Sequence, residues 1–149
     1  GFNKEFIMSK RKKIWLGVVV VLVAWLIFDR FVYPDTTPAM IAEAETRSMS
    51  VTGQIPPRPF VFDGCTAIPE HVFGWIDITQ SCLEHDYAYW AGGTSADRLK
   101  ADRALRDGIQ EKGWLLWPES QIVYWTLRLV GDTFIARAFN RNWGHGYNE

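Results

Sequence analysis

"SCLEHDYAYWAGGTSADRLKADRALRDGI", residues 81–109, is the stretch on which the reading of this chain turns. Helix-forming residues fill both halves, and "AGGTS" at 91–95 interrupts them: the glycines end one helix and Ser95 caps the next. The first helix is predicted to start near Asp77 or Thr79, both good N-caps, and to run to about Trp90; the second runs to about Gln110. On a helical wheel Ile78, Cys82, His85 and Tyr89 fall within an arc of about 60°, with Asp86 on its border. On the second helix Asp102 lies between Leu99 and Leu105, with Ile109 close to the same line. A carboxylate on an apolar face needs a partner, because burying it unpaired is costly. Helices joined by so short a turn pack antiparallel, which carries Asp102 back across the face that holds His85 and Tyr89. A plainer alternative stands beside this: Arg98 and Arg106, four residues either side, hold Asp102 in a surface ion pair, and His85 is a core residue.

Where this helix pair works depends on the N-terminal part of the chain. "IWLGVVVVLVAWLIF", residues 14–28, carries no charge, and the span reaches twenty residues at Tyr33 if Asp29 and Arg30 snorkel. Trp15 and Tyr33 then stand at the two interfaces. We expect an uncleaved transmembrane anchor over 14–33 rather than a signal peptide, since the small-residue pattern Ala42-Glu-Ala44 lies too far past the apolar run. Lys10, Arg11, Lys12 and Lys13 place residues 1–13 in the cytoplasm and the rest outside. Met8 reads as a start site, and residues 1–7 are left out of fold reasoning.

The 149 residues hold one domain of modest size, here 61–149, preceded by a Pro-rich spacer at 34–60. "MIAEAETRSM" within that spacer has the makings of a short helix, whereas Pro56, Pro57 and Pro59 forbid one. From Pro34 onward there are 10 basic and 15 acidic side chains, a net of −5. That balance excludes nucleic-acid binding and capture by anionic lipid through charge alone. A third helix is expected from "PESQ" to about Phe139, with Ile122, Trp125, Leu129 and Ala136 as its apolar stripe, and the tail "NRNWGHGYNE" as coil. No strand is expected, so the fold class is all-α.

Outside the cell membrane Cys65 and Cys82 meet an oxidising compartment and can pair, the alternative being two buried thiols. Such a bridge is worth roughly 3 kcal/mol in the chain-entropy model. It draws "FDGC" towards the first helix, and Asp63 and nearby carbonyls towards Asp86. Carboxylate and carbonyl oxygens of this kind suit Ca²⁺. A histidine base beside a hard cation is an arrangement for ester hydrolysis.

Cys82, His85, Asp86 and Tyr89 at these spacings, with "DGC" ahead and "ADRALRDGI" behind, resemble the secreted phospholipase A2 superfamily over about residues 60–112. The short "DGC" loop is closest to the bacterial and fungal branch. The resemblance implies that His85 is the base that activates water, that Asp102 orients it, and that Tyr89 hydrogen-bonds Asp102. It further implies that Asp86, Asp63 and the Gly64 carbonyl hold Ca²⁺, and that Cys65 pairs with Cys82. Ala88 stands where many animal members have a further cysteine, and the N-terminal anchor is unusual for secreted enzymes. The expected activity is calcium-dependent hydrolysis of the sn-2 ester of membrane phospholipids at the outer (periplasmic or extracellular) face of the plasma membrane. The competing expectation is a catalytically silent module of the same fold, serving as a lipid-binding or accessory subunit with a membrane-protein partner. Six tryptophans lie outside the anchor; at least half are expected in the core, and "KGWLLWPES" is a candidate for interfacial insertion.

Overall fold

A computed structural model describes residues 36–62, 64–65, 71–72 and 75–148, all within one compact unit, Pro34–Glu149. The expected anchor at 14–33 and the ligand Asp63 lie outside the described residues. No described helix is long and apolar enough to cross a membrane.

Helix α1, Pro38–Thr52, is built as its ends demand. The Thr37 side chain accepts from the Met40 N–H, proline occupies the first turn, and Gly53 at φ 71° closes the helix in the left-handed region. Here the spacer reading needs correction. Ala44 and Ser48 are buried, and Arg47 pairs with Glu84 on the next helix while lying over the Tyr87 ring. Residues 38–52 therefore pack as part of the domain.

A two-stranded antiparallel hairpin follows, β1 His71–Val72 with β2 Ile76–Asp77, pairing His71 with Asp77 and Val72 with Ile76. Periodicity cannot announce strands two residues long, and no strand was expected. The described residues are otherwise mostly helical, consistent with the all-α reading.

Helix α2, Thr79–Ala91, starts where the Asp77 carboxylate accepts the Thr79 N–H at 2.8 Å. It ends at Gly92, whose Cα side approaches Gly144 so closely that an added Cβ would sit 2.9 Å from the Gly144 Cα. Helix α3, Ser95–Glu111, is capped one residue earlier than expected, by Thr94 with Asp97 in a capping box. The expected third helix is two: α4, Trp117–Val130, and α5, Phe134–Ala138, separated at Gly131.

Helices α1, α2 and α3 pack in sequence, and α4 packs on α3. The core gathers Phe60, Phe62, Ile78, Leu83, Trp90, Ile109 and Leu116 around the Cys65–Cys82 disulfide. The tail is not loose coil. Its backbone is hooked onto the body by Gly144 N–H to the Tyr89 carbonyl (2.7 Å), Trp143 N–H to the Gly131 carbonyl (3.0 Å) and Arg58 N–H to the Gly146 carbonyl (3.2 Å).

His145, in that tail, donates from Nδ1 to the Asn142 carbonyl at 3.3 Å, and burial pushes its pKa down to about 4. Its folded value lies below the unfolded value of 6.5. The stability it lends is therefore complete above about pH 6.5 and is lost as the pH falls towards about 4. We expect roughly 2–3 kcal/mol to disappear across that window after allowance for residual exposure. Urea denaturation at both ends of the window should show a smaller loss for His145→Gln; an unchanged slope would contradict the assignment.

Candidate functional site

Helix α2 delivers His85, Asp86 and Tyr89 to the site, and α3 delivers Asp102. Asp102 has no exposed surface, which removes the surface ion-pair reading. Its Oδ1 receives the Tyr89 hydroxyl at 2.8 Å and lies 3.2 Å from His85 Nε2. The antiparallel pairing across the 91–95 turn thus brings together the three residues that the wheel projections aligned. Arg106, by contrast, turns away to pair with Asp107.

A further partner was not legible in the sequence. Arg128, from α4, donates through an Nη nitrogen to Asp102 Oδ2 at 2.8 Å. Arg98 stands 4.0 Å from the same oxygen and donates to the Leu127 carbonyl at 2.7 Å, tying α3 to the end of α4. Burial alone would push the Asp102 carboxyl up. The hydrogen bonds from His85, Arg128 and Tyr89 outweigh it and hold the carboxyl below its ordinary value. The Tyr89 hydroxyl is raised by burial despite the Arg98 contact, so it donates to Asp102 rather than ionising.

The His85 ring lies against the Tyr89 ring at 4.2 Å between centroids, and Trp143 meets Tyr89 edge-on at 5.1 Å. With Nε2–H directed at Asp102, His85 Nδ1 carries the lone pair. That nitrogen is 4.0 Å from Asp86 Oδ1. His85 also lines a cavity of about 580 Å³, walled by small residues (Ala88, Ala91, Ala104, Gly108) and by Trp143. Cavities of this size accept small ligands or a segment of a larger one.

Asp86 differs from every other described side chain. Its Oδ2 is the one buried side-chain oxygen or nitrogen among the described residues without a hydrogen-bond partner. Burial pushes its carboxyl well above the usual carboxylate range. An orphaned carboxylate oxygen is a cost that a bound cation removes. Cys82, one helical turn before Asp86, is bonded to Cys65, so the preceding Gly64 is held near the same helix; Gly64 has φ 81°, open to glycine at little cost. Carboxylate and carbonyl oxygens are the donor types that hard cations take. Among the described residues no three acidic, histidine or cysteine side chains converge as a metal cluster, and Asp63 lies outside them.

No family model, curated protein or solved structure matches this chain.

Proposed function

We propose that the domain is a phospholipase A2-like, calcium-dependent carboxylic ester hydrolase acting on membrane phospholipids. The observation that carries this reading is the sharing of Asp102 Oδ1 by His85 Nε2 and Tyr89, which leaves His85 Nδ1 free beside the orphaned Asp86. Asp102 holds the imidazole in one tautomer and stabilises the cation formed when Nδ1 takes a proton from water. The activated water then attacks the ester carbonyl, and His85 returns the proton to the leaving alkoxide. Arg128 and Tyr89 keep Asp102 ionised and in place throughout. Asp86, with Asp63 and the Gly64 carbonyl, would hold Ca²⁺, which when bound polarises the ester carbonyl and offsets the oxyanion charge. The cavity beside His85 supplies room for part of the substrate. The sn-2 position and the outer face of the plasma membrane belong to the same proposal, by the motif resemblance and the apolar run at 14–28.

Calcium titration calorimetry tests the metal directly. Wild-type protein is expected to bind Ca²⁺ weakly, on the order of 10⁻⁴–10⁻³ M, because few protein carboxylates converge. Asp86→Asn should abolish that binding while circular dichroism and the disulfide remain unchanged. Wild-type protein that takes up no calcium at millimolar concentration would favour the silent, lipid-binding module over the enzyme.

A further inference from the structure

Helix α4 is amphipathic in the wrong sense for a soluble domain. Its inward side makes many polar contacts. Ser120 is fully buried and accepts from Gln110 at 2.9 Å, Tyr124 lies under Arg106, and Arg128 reaches Asp102. Val123 and Leu127 supply the apolar part of that contact. The expected apolar stripe, in contrast, faces solvent: Ile122, Trp125 and Leu129 are exposed, and so are Trp114 and Leu115 in the turn that leads into the helix and Trp117 at its first position, each by 57–83 %. Of the expected stripe only Ala136, on α5, is buried. A run of exposed tryptophan and branched aliphatic side chains on one helix marks a contact surface.

The geometry points to a zwitterionic phospholipid surface as the occupant of this face, with α4 lying in the interfacial plane. Three observations favour lipid. Arg128, the one base of α4, is turned inward onto Asp102, so the exposed face carries no basic side chain of the helix and draws on apolar burial rather than on lipid charge. Three tryptophans mixed with leucine and isoleucine are the side chains that settle at the boundary of headgroups and acyl chains. Finally, the uncharged run 14–28 ends at Phe28, eight residues before Thr36, and a chain of that length spans at most about 28 Å. Whatever apolar phase receives that run is within reach of the domain. The face belongs to α4, whereas the cavity beside His85 is lined by α1, α2, α3 and Trp143, so this contact goes beyond the hydrolytic reading and stands without it.

The test uses the full chain in phosphatidylcholine nanodiscs. Ile122→Cys, Trp125→Cys and Leu129→Cys are each labelled with an environment-sensitive fluorophore, and Arg103→Cys, on the exposed side of α3, serves as control. The three α4 labels are expected to shift to the blue and to lose emission when nitroxide lipid is included, while the control does neither. Labels on α4 that behave like the control overturn the proposal. So do labels shielded from aqueous iodide, unaffected by nitroxide lipid and found with two chains per disc, which would make a second copy the occupant. No hydrolysis is read, so an inert enzyme leaves the measurement intact.

Discussion

Replacing His85 with alanine is expected to lower phospholipid hydrolysis by about 10²–10⁴-fold, the usual worth of a positioned general base. The fold should survive the change. Asp102 keeps Tyr89 and Arg128 as partners, so its carboxylate is not stranded, and Ile78, Cys82 and Tyr89 still define the face from which the imidazole is removed. The melting temperature should move by only a few degrees. Rates on phospholipid vesicles with saturating calcium, read beside thermal unfolding of the same sample, separate this from a structural role. If His85 served packing alone, the stability loss would be large and no activity would be present to lose. Wild-type protein that is folded, calcium-loaded and inert towards every phospholipid offered would sink the enzyme reading.

Asp102→Ala should have the largest effect on stability, about 3–5 kcal/mol, because one carboxylate satisfies three side chains. Its loss leaves His85 Nε2, the Tyr89 hydroxyl and the Arg128 guanidinium facing an empty, fully buried position. Asp102→Asn keeps the volume and one acceptor oxygen but not the charge, so its cost should fall between alanine and wild type. The two variants also differ from wild type in acid. The folded Asp102 carboxyl titrates below its unfolded value, so it lends stability at pH values above the unfolded range and loses it as the pH falls through the folded one. Neither variant should show that component. Urea denaturation at neutral pH decides the matter: an Asp102→Ala change costing under about 1 kcal/mol, the range of an ordinary surface pair, would mean that the network does not hold the helices together.

The helix pair and its polar contact were legible because their causes are local. Spacings of 4, 3 and 4 put Ile78, Cys82, His85 and Tyr89 on one side of α2, and the glycines at 92 and 93 force the reversal that returns Asp102 to that side. The Cys65–Cys82 bond followed from there being two cysteines and a compartment argument, and the bond is present. Asp102 could be seen to need a partner from its apolar neighbours alone.

Tertiary structure decided the rest. Arg128 lies 26 residues from Asp102, and nothing in its own neighbourhood distinguishes it from a solvated arginine; only the packing of α4 on α3 brings it to the carboxylate. The same packing also set which side of α4 faces solvent. Periodicity shows that a helix has an apolar stripe, but which side meets the domain is settled by the surface already there. That surface, with Gln110, Arg106, Arg98 and Asp102, offers polar partners to Ser120, Tyr124, the Leu127 carbonyl and Arg128. The tail was unreadable for a third reason. It is fastened largely through backbone carbonyls and amides, which nearly every residue possesses and which leave no mark in a sequence.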